Sequence, residues 1–210
     1  DYTASITTNS TDTQGAVAIS ISFSDLAGIS GDVVTATTNS SSVTYDRSVP
    51  TLTALSMTSN NDNTDYAKEG DIVTLNFTSS ENIQDPPTVT LDGNNATLSG
   101  SNSSWAATYT MQSGDTEGDL AFTVDFIDIA GNNGTQVTAV ITGNAVEYDE
   151  TTPTLPTVNI SSNNSNGATL AKVNDVITIS VTGSENIQTP TLTISGNAAA
   201  IASGSNGENS

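Results

Sequence analysis

The chain repeats itself at a fixed interval of 103 residues, and this interval constrains the fold more than any other feature. Asp12-Thr13-Gln14-Gly15 returns as Asp115-Thr116-Glu117-Gly118, and Asp25-Leu26-Ala27-Gly28 as Asp128-Ile129-Ala130-Gly131. Tyr45-Asp46 returns as Tyr148-Asp149, and Pro50-Thr51-Leu52 as Pro153-Thr154-Leu155. Every pair keeps the same separation, so the two copies align without a gap. A fixed period of one domain length marks a tandem array.

The copies also phase the chain. Residues 1–48 match 104–151, the second half of a repeat; residues 49–150 make one whole repeat; residues 151–210 match the first half. Ala171-Lys172 pairs with Ala67-Lys68, and Ser184-Glu185-Asn186-Ile187-Gln188 with Ser80-Glu81-Asn82-Ile83-Gln84. The separation there is 104, so one residue is inserted in the Asn-rich loop before Ala171. It returns to 103 at Gly196-Asn197, the counterparts of Gly93-Asn94. The expected organisation is half, whole and half.

Within the whole repeat the hydrophobic period is two, the signature of half-buried strands. Thr51–Met57 turns Leu55 and Met57 inward, Ile72–Thr78 turns Val73, Leu75 and Phe77, and Thr88–Asp92 turns Val89 and Leu91. Trp105–Met111 presents Trp105, Ala107, Tyr109 and Met111; Leu120–Phe126 presents Leu120, Phe122, Val124 and Phe126. Gln136–Thr142 and Ala145–Tyr148 read as the last strand or strand pair. Seven or so short strands with frequent turn signals predict an all-β, antiparallel β-sandwich. The half repeats keep the pattern. Tyr2, Ala4 and Ile6 stand for Trp105, Ala107 and Tyr109; Val17, Ile19, Ile21 and Phe23 for Leu120, Phe122, Val124 and Phe126; Ile177, Ile179 and Val181 for Val73, Leu75 and Phe77.

With the strands in place, a resemblance becomes visible. Tyr148-Asp149-Glu150-Thr151-Thr152-Pro153-Thr154-Leu155 resembles the linker that opens Ig-like repeats of giant bacterial and archaeal surface proteins. Ala67-Lys68-Glu69-Gly70-Asp71, Phe77-Thr78-Ser79-Ser80-Glu81, Gly114-Asp115-Thr116-Glu117-Gly118-Asp119 and Asp128-Ile129-Ala130-Gly131-Asn132 follow in that family's order. The resemblance implies tandem Ig-like sandwiches in the extracellular stalk, fibre or surface layer of a cell. It names no ligand.

Composition narrows the chemistry. There are 23 acidic residues against 3 basic ones, Arg47, Lys68 and Lys172, for a net charge of −20. That balance argues against nucleic acid, whose phosphates need Lys and Arg, and against anionic membrane surfaces. No apolar run approaches the ~20 residues that span a bilayer, so no membrane insertion is expected in this segment. The charge fits solubility in salty water or the collection of divalent cations. With no His and no Cys, soft-metal sites and His-based triads are not expected. No phosphate loop or dinucleotide fingerprint occurs. No enzyme is expected.

The carboxylates gather near strand ends. The linker has Asp46 in one copy and Asp149-Glu150 in the next; the turn after the Phe-rich strand has Asp25, then Asp125 and Asp128; the preceding hairpin has Asp12, then Asp115, Glu117 and Asp119. Calcium takes six to eight oxygens in a flexible shell. Asp46, Asp149, Glu150, Asp25 and Asp128 are therefore candidate calcium ligands, with linker and turn acids of adjacent domains combining as the resemblance suggests. Turn chemistry competes with this reading, because Asp accepts backbone N–H bonds where a turn begins. Asp128-Ile129-Ala130-Gly131-Asn132 suits a turn especially well, and Ser22 replaces Asp125 in the first copy. No other cofactor is expected.

Lys68 and Lys172 share one repeat position, as do Glu81 and Glu185. Lys–Asn isopeptides occur in the Ig-like stalk domains the chain resembles, but Asn144 aligns with Ser41, which favours a surface ion pair for the lysine. Asn-x-Ser/Thr sequons at Asn9, Asn39, Asn76, Asn95, Asn102, Asn133, Asn159 and Asn163 make glycans on Asn a further partner. Asn76 is expected to face outward, and Trp105 to be core.

The expected function is a structural module of an extracellular fibre or adhesin stalk at the cell surface. The alternative is a surface-layer lattice protein with calcium-bridged Ig-like domains. Partners are neighbouring repeats or copies of the chain, head to tail. The two half repeats are complementary: Ile177, Ile179 and Val181 from one would pack on Val17, Ile19, Ile21 and Phe23 from the other. A continuous covalent array and the mutual completion of separate subunits both satisfy this, and cutting a continuous chain at one period is the simpler.

Overall fold

A computed structural model describes residues 1–84 and 86–202. The chain divides into two compact units, with the boundary between Glu150 and Thr151. The described residues contain strands and no helix. In the first unit these are β1 (Gly15–Ala16), β2 (Thr44–Tyr45), β3 (Leu52–Ser59), β4 (Tyr66–Ala67), β5 (Ile72–Ser79) and β6 (Thr88–Leu91). They continue as β7 (Asn94–Asn95), β8 (Thr97–Ser101), β9 (Ser104–Thr110), β10 (Gly118–Asp119), β11 (Phe122–Asp125) and β12 (Glu147–Tyr148).

Residues 49–150 fold as an all-β sandwich. One sheet has the order β3-β5-β9-β8; facing it are β11-β6-β7 and a small sheet, β10-β12-β4. The pairings are antiparallel except that β12 runs parallel to β4. Alternation drives the layering. Val73, Leu75 and Phe77 of β5 are buried while Asn76 between them is exposed. They meet Leu55, Met57, Trp105 and Ala107 of their own sheet and Val89, Leu91, Phe122 and Val124 of the other in one core. Outside the core, Thr90 and Thr123 hydroxyls pair across β6 and β11 at 2.7 Å, a common cross-strand stabiliser. Between β6 and β7, Asp92 (φ 46°) and Gly93 (φ 75°) both take positive φ, as a two-residue type I′ hairpin requires.

Some details differ from the sequence expectation. Thr97–Ser101, which the alternation does not single out, forms edge strand β8 on β9. Gln136–Thr142 makes no strand; Val137 alone bridges, to Val124. Ala145–Tyr148 shortens to Glu147–Tyr148. Trp105 is core, its indole N–H donating to the Asn102 carbonyl at 3.2 Å.

The segments at either side keep the registers of the intact repeat. Gly15 faces Tyr45 as Gly118 faces Tyr148, and Ile21 bridges Val34 as Val124 bridges Val137. In the second unit, β13 (Thr157–Ser162) pairs with β14 (Ile177–Thr182), and β15 (Thr193–Ile194) with β16 (Asn197–Ala198). Val158 faces Val181 and Ile160 faces Ile179, as Leu55 faces Phe77 and Met57 faces Leu75. The positive-φ turn recurs at Ser195-Gly196. Tyr2, Ile6, Val17, Ile19, Ile21, Phe23, Ile177 and Val181, inward in the pattern of the whole repeat, are exposed here, as half a sandwich by itself leaves its apolar face open. Residues 203–210 of the expected first-half repeat fall outside the described residues.

Candidate functional site

The Asp128 turn is fixed by local bonds. Its backbone N–H donates to the Asn132 carbonyl at 3.0 Å, and Gly131, at φ 98°, returns its N–H to the Asp128 carbonyl at 3.2 Å. The carboxylate accepts from the Asn132 N–H at 2.8 Å and from Asn132 Nδ2 at 2.7 Å. Asp128 also bridges Ile83 across an antiparallel pair, which draws the segment after β5 against the turn. That segment carries Glu81. The linker before β3 supplies Asp46, whose carboxylate accepts from the Ser48 N–H at 2.9 Å and whose carbonyl accepts from Asn132 Nδ2 at 3.4 Å.

These three segments bring Asp46, Glu81 and Asp128 together, with one carboxylate oxygen of each within 4.8 Å of the others. Asp128 is fully buried; Asp46 and Glu81 are half-buried. The electrostatics are uneven. Burial pushes the Glu81 carboxyl above the usual carboxylate range, and the charges of Asp46 and Asp128 push it further. Burial acts the same way on Asp128, but the Asn132 amide and the backbone N–H groups of Asn132, Gly131 and Ala130 outweigh it and hold its pKa below the usual value. Neighbouring Arg47 is engaged elsewhere, donating from Nη1 to the Ser10 carbonyl.

The donor set is all hard oxygen, which fits calcium or magnesium rather than soft metals. Three carboxylates fall short of calcium's six to eight oxygens, so water or carbonyls would complete the shell. The remaining candidates lie elsewhere. Asp25 occupies the counterpart turn and accepts the N–H groups of Ala27 at 2.9 Å and Ile29 at 2.8 Å, which is turn chemistry. Glu150 stands at the other end of the repeat, accepting from the Tyr148 hydroxyl at 3.0 Å and the Gly114 N–H at 3.3 Å. Asp149 donates its backbone N–H to the Ala67 carbonyl at 2.9 Å. Sequence reasoning left Glu81 out of the cation set; the signal available was its recurrence as Glu185 at the start of the same loop. Lys68 reaches Asp71 at 2.9 Å, not Glu81.

The chain crosses the repeat from end to end. Asp46 enters beside Glu81, next to the Ser79 end of β5, while Tyr148 and Glu150 contact Gln112 and Gly114, beyond the Ile72–Thr110 end of the same ladder. Comparison with protein-family models, curated proteins and solved structures finds no match.

Proposed function

We propose that this chain is a structural segment of an extracellular fibre or adhesin stalk, built from Ig-like repeats joined head to tail. One observation carries the reading: entry and exit lie at opposite ends of the β5 ladder, so successive repeats add length. The 103-residue period, the registers repeated across copies and the resemblance of the linker support it. Such a module bears load and sets distance; no turnover is expected of it. Asn side chains on outward strand faces, Asn76 among them, would carry any glycan.

Small-angle scattering on chains of one, two and four repeats tests this. Each repeat should lengthen the maximum dimension by a constant step of at least ~26 Å, the rise of an eight-residue ladder. A dimension that grows as the cube root of mass would overturn it. The surface-layer reading draws on Asp46, Glu81 and Asp128, which sit where the linker meets the repeat and would hold calcium there. Under it, calcium should drive sheet formation and EDTA reverse it. Under the stalk reading, calcium stiffens the junction and the array stays linear. An unchanged scattering profile with and without calcium would remove the ion from both.

A further inference from the structure

The two layers of the intact repeat differ in charge. The sheet β3-β5-β9-β8 carries no Asp, Glu, Lys or Arg on any of its four strands. The facing layer has Asp119, Asp125 and Glu147 in its strands. In the second unit β13 and β14, the counterparts of β3 and β5, are uncharged as well. In a chain of net charge −20, charge is what keeps copies apart in solution. This sheet lacks it, so something else must keep its outer face in water.

Acceptor sequons fall on the same sheet. Asn76-Phe77-Thr78 lies in β5 and Asn159-Ile160-Ser161 in β13. Residue by residue the two do not recur, since Asn76 corresponds to Ser180 and Asn159 to Ser56. The strand registers bring them together. Ser56 faces Asn76 in the intact repeat, and Asn159 faces Ser180 in the second unit. Each copy of this ladder therefore holds one sequon asparagine in the same cross-strand pair, on one strand or the other. Strand alternation puts the hydroxyl two residues on, Thr78 or Ser161, on the face of the amide. Both asparagines are exposed, and the residues flanking Asn76 across the sheet, Ser56 and Ala106, are small. Three of the other sequons are spent on turns. Asn9 Oδ1 accepts the Thr11 N–H at 2.9 Å, Asn39 Oδ1 the Ser41 N–H at 3.1 Å, and Asn163 Oδ1 the Val176 N–H at 2.8 Å.

We infer that Asn76 and Asn159 carry N-linked glycans, which cover the uncharged sheet in each repeat. The donor is an oligosaccharide held through C1 on a lipid diphosphate. In the transfer the Asn amide nitrogen bonds to C1, the bond from C1 to the diphosphate oxygen breaks, and the lipid diphosphate leaves with the electron pair. The nitrogen gives up one proton, and nothing is oxidised or reduced. The hydroxyl two residues on completes the acceptor that the transferring enzyme reads. A bulky, solubilising glycan does on this sheet what carboxylates do on the opposite layer. The inference rests on the reading of the chain as extracellular, and it names the side of the repeat that the sugar takes.

Intact-glycopeptide mass spectrometry on the full chain, isolated from the cells that make it, tests this. Sugar is expected on Asn76 and on Asn159. Thr78→Ala and Ser161→Ala should each remove it from the asparagine two residues earlier, while Thr78→Ser and Ser161→Thr retain it. Asn76→Gln combined with Asn159→Gln should lower the solubility limit several-fold, with the near-ultraviolet signal of Trp105 showing the intact repeat still folded. Bare Asn76 and Asn159, sugar confined to Ser and Thr hydroxyls or to other sequons, or sugar that survives the alanine variants would overturn the proposal. An unchanged solubility limit in the double variant would overturn the covering role. None of these results touches the stalk reading, because the scattering series reads the length added per repeat whether or not sugar is attached.

Discussion

Gly134 and Gly31 are repeat counterparts, and the same substitution at each should have different consequences. Both donate their N–H to the carbonyl of a phenylalanine, Phe126 and Phe23, at 2.9 Å. A Cβ built on either would meet the ring at 2.3 Å from Cε2. Carbon atoms in contact rest about 3.5–4.0 Å apart, so the ring must retreat by more than about 1 Å. Phe126 is 4% exposed and closed in by the core; forced movement there is overpacking, about 1–3 kcal/mol. Phe23 is 55% exposed and can swing into water, so Gly31→Ala should cost less than about 0.5 kcal/mol. Urea melts of dilute protein give the two values, and the Gly134→Ala midpoint should fall with the slope unchanged. Equal losses at both sites, or no loss at Gly134, would refute the account.

Three further outcomes follow from the geometry. Leu75, fully buried at the centre of β5, should cost about 2–5 kcal/mol as Leu75→Ala, read by thermal or urea unfolding. Glu81 has its folded pKa raised, first by burial and then by Asp46 and Asp128; the stability it contributes is present below the unfolded value near ~4.3 and lost as pH rises through the folded one. Glu81→Gln should therefore stabilise the protein at pH 7 and bring no gain at pH 4, a difference that paired melts would expose. The Tyr148 phenol is pushed up to about 12 by burial and by Glu150, so stability should decline between pH ~10, where an unfolded tyrosine ionises, and about 12. Tyr148→Phe, which gives up hydrogen bonds to the Gln112 carbonyl and Glu150, should lose about 1–2 kcal/mol and flatten that alkaline decline.

The strands that carry the core were legible because alternation is a local property. Val73, Leu75 and Phe77 announce β5 whatever surrounds them, and Leu120 to Phe126 do the same for the segment containing β11. Edge strand β8 was not legible: Leu98 is its single large apolar residue, and a strand covered on one side by β9 needs little more. Gln136–Thr142 erred in the other direction, since its valines suggest a strand but Val137 alone finds a ladder partner. The candidate cation cluster was half legible. Asp46 and Asp128 recur with the repeat, whereas their meeting with Glu81 depends on three distant segments converging through the Ile83–Asp128 bridge. Exposure of the half-repeat apolar residues was legible from the phasing of the repeat, since half a sandwich by itself leaves its apolar face open.

The course of the backbone through the intact repeat also decides how it would respond to tension. A pull applied at Asp46 and at Glu150 acts along the strands, from the Ser79 end of β5 to the Ile72 end. Hydrogen bonds that run across a ladder then resist together, in shear, instead of yielding one after another as they do when a strand is peeled from its edge. The last strand, β12, is held on both sides, by β10 and by the parallel β4. Its Tyr148 hydroxyl is tied to the Gln112 carbonyl at 2.8 Å, so the C-terminal attachment is clamped where the load arrives.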